Sequence, residues 1–119
     1  MSRSTLEFLQ HIQRELAYLI RRSSGMTYDE FIENEDLIRS FIRSLEVVGE
    51  ASKNVPDEVR FDNLEFDWSG FAKLRDRLIH HYWGIEYPII WNAIQTEIPI
   101  NKEWIDVIIE QELAKLSDE

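Results

Sequence analysis

Residues 73–83, which read Lys-Leu-Arg-Asp-Arg-Leu-Ile-His-His-Tyr-Trp, contain two of the three histidines of the chain, three basic side chains and a tyrosine. Histidine titrates near neutral pH and can transfer protons, and arginine can bind a phosphate through two parallel N–H groups. On a helix, Asp76 and His80 lie one turn apart on one face, so the carboxylate could select one tautomer of the imidazole. This combination suits chemistry at a phosphodiester, whereas an amphipathic helix with a solvated basic edge is the simpler interpretation.

A second face of the same helix combines Arg75 with apolar residues. Arg75 and Tyr82 are seven positions apart and therefore share a face, which also carries Trp68, Phe71 and Leu78. Arginine is rarely buried unless it is paired. Arg75 therefore requires a paired residue, a bound ligand or a catalytic role, unless it lies at the edge of this apolar face with its charge in solvent. The residue types alone leave both interpretations open.

Metal-free cleavage of RNA would need three groups at one site. One group takes the proton of the 2′-hydroxyl, one protonates the leaving oxygen, and one stabilises the charge on phosphorus in the transition state. Histidine suits the proton transfers and a fixed arginine suits the third role. His80, however, lies about 140° around an ideal helix from Arg75, so the two converge only at a distorted helix end or with a second chain across a twofold axis.

The pattern Arg75-Asp76-x-x-x-His80-x-Tyr82 resembles the signature of the HepT-like branch of bacterial toxins in the HEPN superfamily. Residues 43–53, with their Gly-Glu-Ala core, are similar to the long-helix segment of that branch. The exit Trp83-Gly84-Ile85 and the apolar segment ending at Ile98-Pro99 also fit, although Trp83 stands where a phenylalanine is expected. The resemblance covers nearly the whole chain.

This resemblance implies a homodimer with a composite site at the interface, built around the helix of residues 68–82. Arg75 and His80 match the catalytic pair, and Asp76 matches the polar position beside the arginine. Tyr82 matches the tyrosine to which an MntA-like minimal nucleotidyltransferase antitoxin adds AMP. The implied function is that of a metal-independent endoribonuclease, the toxin of a type VII-like toxin–antitoxin system. The alternative for Tyr82 is a core aromatic residue with its hydroxyl at the rim.

Further residues are expected to support the site. Lys73, Arg77 and His81 are candidate RNA contacts, and Glu50 is a candidate counter-charge for Arg75. Glu50 and Glu46, one helical turn apart, resemble half of a carboxylate metal site. Without a second pair of carboxylates and with few histidines, a metal site is not expected.

The composition limits the class of protein. A length of 119 residues suits one domain spanning residues 1–119, and zero cysteines exclude disulfides and thiolate metal sites. No apolar run approaches the roughly 20 residues that a membrane span needs, so a cytoplasmic protein is expected. The net charge of −10 argues against nonspecific binding of nucleic acid and favours a small selective RNA site or a basic partner.

The apolar periodicity predicts an all-α bundle of four main helices plus shorter pieces. The predicted helix starts are capping boxes at Ser4/Glu7 and Thr27/Glu30 and caps at Asn34, Asp67 and Asn101. The predicted helix ends are at Gly25, Gly84 and Pro99. Residues 57–66 read as a polar connector. Three functions remain open: the ribonuclease, a noncatalytic nucleotide-binding or partner subunit of a nucleotidyltransferase, and a helical adaptor in which the motif is coincidental.

Overall fold

A computed structural model describes residues 3–117 of the chain, and all regular structure in that range is helical. The predicted all-α architecture is therefore confirmed. None of these helices is both long and apolar enough to cross a membrane. The elements are α1 (Arg3–Ser23), α2 (Tyr28–Glu33), α3 (Glu35–Asn54), α4 (Asp57–Asp62), α5 (Trp68–His80), a 3₁₀ turn (Tyr82–Gly84), α6 (Tyr87–Asn92), a π-helical turn (Ala93–Glu97) and α7 (Ile98–Ser117).

Several helix starts follow the predicted caps. Thr27 and Glu30 form a reciprocal capping box, in which each side chain bonds the backbone N–H of the other residue. The side-chain oxygens of Asn34 and Asp67 each accept a hydrogen bond from the N–H three residues further on, at 3.1 and 3.0 Å. Gly25, just beyond α1, adopts a φ of 75°, which glycine accommodates without strain. Local hydrogen bonding thus sets these boundaries.

The predicted break at Pro99 is wrong. Helices α6 and α7 and the π-helical turn between them form one continuous helix from residue 87 to residue 117. Proline lacks an N–H and its ring clashes with the carbonyl four residues earlier, but a π turn holds one extra residue and relieves that conflict. Asn101 consequently does not cap a new helix. Its Oδ1 accepts the backbone N–H of Asp67 at 2.9 Å, and its Nδ2 donates to the Glu97 carbonyl at 2.9 Å.

Three smaller predictions also need correction. Ser4 lies inside α1 and does not precede it, and the supposed connector of residues 57–66 contains the short helix α4. Three residues assigned to buried faces are exposed: Ile89, Trp104 and Leu113. Periodicity identified these helical faces, but the neighbours that cover each face come from distant parts of the chain.

The core lies between α1, α3, α5 and the 87–117 helix. It is largely aliphatic, with an aromatic cluster in which Phe31 stacks on Phe41 at 5.6 Å and on Trp91 at 5.1 Å. The fully buried large side chains include Leu9, Ile12, Leu16, Leu19, Leu45, Phe66, Ile94, Ile98 and Ile105.

Helices α3 and α5 approach closely at Gly49. A Cβ atom at this position would lie 2.6 Å from the Phe71 carbonyl oxygen and closer still to the Cβ of Arg75. Only a residue without a side chain therefore allows this crossing. The crossing places the backbone of Arg75 directly against α3.

Candidate functional site

Arg75 lies between two carboxylates. Its Nη2 atom is 3.1 Å from Oε2 of Glu50 on α3, and its Nη1 atom is 3.0 Å from Oδ1 of the adjacent Asp76. Its Nε atom is buried and has no hydrogen-bond partner within the described part of the chain. The side chain is 23% exposed, so the guanidinium is held in place while remaining open to a cleft.

Asp76 links α5 to α3 through a short network of charges. Besides Arg75, it accepts a hydrogen bond from Nζ of Lys53 at 3.3 Å. The hydrogen bond from Arg75, followed by that from Lys53, lowers the pKa of the Asp76 carboxyl below its usual value. Asp76 was expected to orient His80, but within residues 3–117 no hydrogen bond joins the two side chains. The expectation considered only the neighbours on α5 and missed Lys53, 23 residues away.

Arg75 opens into a cleft of about 250 Å³ between α1, α3 and α5. The polar lining comprises His11, Arg43, Glu46, Glu50, Asn54 and Arg75. His11 was assigned to the surface with no chemistry, and it is exposed, yet it borders the same cleft as the arginine. No signal in the sequence near His11 indicates this proximity, which results from the packing of α1 on α3.

His80 borders a different cleft, of about 590 Å³, at the C-terminal end of α5. This cleft is lined by Asp76, Arg77, His80, His81, Trp83 and Gly84. His80 and His81 are exposed, and Nη2 of Arg77 lies 3.4 Å from Oε2 of Glu86. The structure thus brings His80, His81 and Arg77 together and leaves Arg75 on another face of the helix. That separation agrees with the angle of about 140° on an ideal helix.

Tyr82 and Trp83 follow α5 in the 3₁₀ turn. Each side chain is 72% exposed, and their rings form an edge-on pair with centroids 5.4 Å apart. Trp83 also contacts the ring of His81, at 5.4 Å. Tyr82 is therefore not a core residue of the described chain, and its hydroxyl is open to solvent.

Lys73, the remaining candidate contact, lies on a third surface. It is exposed and borders a groove of about 560 Å³ between α4 and α5, which also includes Lys53 and Asp76. Asp76 lines both this groove and the cleft of His80. Within residues 3–117, no group of three or more His, Asp or Glu side chains is arranged to hold a metal ion.

Comparison with known proteins identifies relatives along most of the chain. The family described as "Ribonuclease HepT-like" matches residues 12–108. A "Putative RNase" of Caldanaerobacter subterraneus subsp. tengcongensis is 41% identical over 105 residues, covering 88% of this chain and 94% of that protein. A second "Putative RNase", from Methanocaldococcus jannaschii, is 41% identical over 102 residues, covering 86% of this chain and 84% of that protein.

A relative that carries the family name is also similar to this chain. The "Probable ribonuclease HepT" of Thermococcus cleftensis is 30% identical over 99 residues, covering 83% of this chain and 90% of that protein. No solved structure matches the chain. The family match, these identities and the all-helical architecture agree, and the chain belongs to the HepT-like ribonuclease family of the HEPN superfamily.

Proposed function

We propose that the chain is a metal-independent endoribonuclease and the toxin of a type VII-like toxin–antitoxin pair. The observation that carries the proposal is the presence of Arg75 and His80 on one helix, each open to a cleft. Membership of a ribonuclease family supports it. The 2′-oxygen of the substrate attacks phosphorus while the bond to the 5′-oxygen breaks, which leaves a 2′,3′-cyclic phosphate and a 5′-hydroxyl.

His80 serves the proton transfers of this reaction. One histidine removes the 2′-hydroxyl proton, and a second histidine protonates the departing 5′-oxygen. Each transfer contributes a factor of roughly 10² to 10⁴ in rate. Arg75 stabilises the negative charge that develops on the phosphoryl oxygens. Asp76 and Glu50 orient its guanidinium through the ion pairs at 3.0 and 3.1 Å.

The reaction requires a homodimer. Arg75 and His80 border different clefts of one chain, so a single copy does not direct both groups at one phosphate. A twofold axis near α5 brings the arginine of one copy towards the histidine of the other and supplies the second histidine. Lys73, Arg77 and His81 then contact the RNA on either side of the cleaved bond.

A nucleotidyltransferase antitoxin neutralises the enzyme by adding AMP to Tyr82. The exposure of this side chain, at 72%, gives a transferase access to the hydroxyl. The phenol oxygen attacks the α-phosphorus of ATP, and pyrophosphate leaves. The attached phosphodiester places a negative charge beside the cleft of His80, which opposes binding of an RNA phosphate.

Purified wild type, Arg75→Ala and His80→Ala are compared on bulk cellular RNA, with and without EDTA, alongside growth after induced expression. We expect wild type to fragment RNA and arrest growth with or without the chelator, and both variants to be inactive while remaining folded. Arg39→Ala removes an arginine from the exposed pair with Glu35 on α3 and serves as the matched control, with full activity expected. If wild type and both variants are folded, dimeric and equally harmless, the ribonuclease proposal is wrong.

The ion pairs of Arg75 favour one alternative function, that of a noncatalytic partner subunit of a nucleotidyltransferase. Two carboxylates already neutralise the guanidinium, and a phosphate would have to compete with them. On that alternative, Tyr82 is modified but RNA remains intact in the assay above. The same experiment therefore separates the two functions.

A further inference from the structure

The large hydrophobic side chains with the greatest exposure lie near two neighbouring cavities along α5. Among residues 4–117, four such side chains are at least 70% exposed: Phe61, Leu64, Tyr82 and Trp83. Phe61 and Leu64 border the groove between α4 and α5, and Trp83 borders the cleft of His80. Asp76 lines both cavities. The two cavities therefore adjoin at Asp76, and each has exposed apolar side chains in its lining.

The groove between α4 and α5 joins this apolar surface to positive charge. Lys53 from α3, Arg60 from α4 and Lys73 from α5 converge on it, against the carboxylates of Asp67 and Asp76. The lining of the groove thus holds three cationic and two anionic side chains, on a chain whose net charge is −10. Its volume of about 560 Å³ lies within the range of roughly 300–1,000 Å³ typical of ligand sites.

Some charged side chains of the groove already form ion pairs or hydrogen bonds, and others do not. Lys53 is bound to Asp76, and the Nη2 atom of Arg60 is bound to Asp57. Arg60 Nε is buried without a hydrogen-bond partner in the described part of the chain. Lys73 makes no ion pair with any residue in the range 3–117. Asp67 uses its carboxylate to cap α5, which engages one of the two opposing charges.

We propose that this groove binds single-stranded RNA, with a nucleobase stacked on the ring of Phe61 and the adjoining phosphate on Lys73. The proposal rests on the ribonuclease function, and it adds a binding site for the strand that leaves the cleft of His80. Exposed aromatic rings beside cations are how proteins bind single strands without reading their sequence. A nucleotide supplies both a flat apolar face for the ring of Phe61 and a negative charge for Lys73.

The test measures binding of a fluorescent twelve-nucleotide oligouridine whose sugars are all 2′-O-methylated, so that it cannot be cleaved. We expect Phe61→Ala to weaken binding by about 5- to 100-fold, the contribution of one stacked base, and Phe61→Trp to retain it. Lys73→Gln should lower the slope of log K against log salt by about 0.7. Trp104→Ala removes an exposed aromatic side chain on α7 that borders neither cavity, and it should bind like wild type.

Cleavage of an unmodified strand and light scattering accompany the binding measurement. If wild type cleaves RNA and Phe61→Ala binds and cleaves equally well, the groove proposal is overturned while the ribonuclease remains. If wild type binds the strand in the groove but cleaves no RNA, the ribonuclease is overturned and the groove remains. Dissociation of a dimer by Phe61→Ala would assign the groove to contact between protein chains and refute RNA binding there.

Discussion

The guanidinium of Arg75 and the carboxylate of Glu50 lie 3.1 Å apart, beside the close approach of α3 and α5 at Gly49. Gly49, which permits the approach, immediately precedes Glu50 in the sequence. One short segment of α3 therefore provides both the space for Arg75 and its counter-charge. This relationship makes the orientation of the arginine sensitive to changes in α3.

Glu50→Gln should reduce RNA cleavage without unfolding the protein. Because the pair is partly exposed, its loss is expected to lower the free energy of unfolding by at most about 1 kcal/mol. If the transition state loses the same free energy because Arg75 is less well oriented, kcat/KM decreases about 5-fold. In an Arg75→Ala background, the substitution should have no further effect on the free energy of unfolding. An additive loss of stability in the double variant would show that Glu50 acts independently of Arg75.

Gly49→Ala should destabilise the protein. Replacing glycine with alanine inside a helix normally favours the helix by about 1 kcal/mol, but here the new Cβ would overlap α5. We expect a net loss of about 1–3 kcal/mol from the displaced helix, measured by urea denaturation. Gly84→Ala is the matched control, since no atom lies within 4 Å of its added Cβ. Equal midpoints for the two variants would argue against a tight crossing.

Asn101→Ala should weaken the attachment of α7 to the start of α5. The substitution of this buried side chain leaves the backbone N–H of Asp67 without its acceptor and removes the donor to the Glu97 carbonyl. Loss of a buried partner costs about 1–3 kcal/mol, which urea denaturation can measure. Gln95→Ala, at an exposed position in the π-helical turn, should change stability by less than about 0.5 kcal/mol. A neutral Asn101→Ala would mean that water replaces both contacts.

Asp106 makes the free energy of unfolding depend on pH in the acid range. Burial alone would raise the pKa of its carboxyl, but hydrogen bonds from Lys102 and Gln13 outweigh burial and lower it. A carboxyl whose pKa is lower in the folded state than in the unfolded state stabilises the fold at pH values above its unfolded-state pKa. This stabilisation disappears as the pH falls through the folded-state pKa. Asp106→Asn should therefore cost about 1 kcal/mol at pH 7 and progressively less below about pH 4.

Urea denaturation at pH 7 and pH 3 tests this dependence, with Glu103→Gln as a control for an exposed acidic residue of α7. The control should show little loss at either pH. A constant difference between Asp106→Asn and wild type at both values would contradict the assigned role of the carboxylate.

Tyr82→Phe should separate the toxin's activity from its neutralisation. The substitution removes only the hydroxyl of an exposed ring, so cleavage of RNA should stay within about 2-fold of wild type. Incubation with the cognate nucleotidyltransferase and ATP should add adenylate to wild type and to Tyr87→Phe, but not to Tyr82→Phe, as measured by intact mass. Adenylate on Tyr82→Phe would assign the modification to another residue.

Features that depend on neighbouring residues were predictable from the sequence. The caps at Thr27, Asn34 and Asp67 were correct because a cap involves only the next three residues. The separation of Arg75 from His80 followed from the pitch of a helix. The partners of Asp76 were not predictable, because Lys53 reaches it from a helix that precedes it by 23 residues.

The remaining errors arose from a contact between distant elements and from a rare helical turn. His11 borders the cleft of Arg75 because α1 packs on α3, and nothing within α1 marks that position. Pro99 was predicted to end a helix because local rules forbid it in an ordinary α-turn. The structure accommodates it through a rarer turn, which those rules did not anticipate.

The π-helical turn at Ala93–Glu97 also sets the rotational phase of everything after it. One surplus residue in a helix rotates the following segment by about 100° relative to the preceding one. Ile105, Ile108 and Ile109 face the core, and Asn101 meets Asp67, only with that offset in place. Two stretches of a single helix can therefore satisfy two different sets of neighbours. Deletion of Gln95, an exposed residue of this turn, would therefore rotate all 20 residues of α7 relative to α6 and displace their contacts, although Gln95 itself is not part of the core.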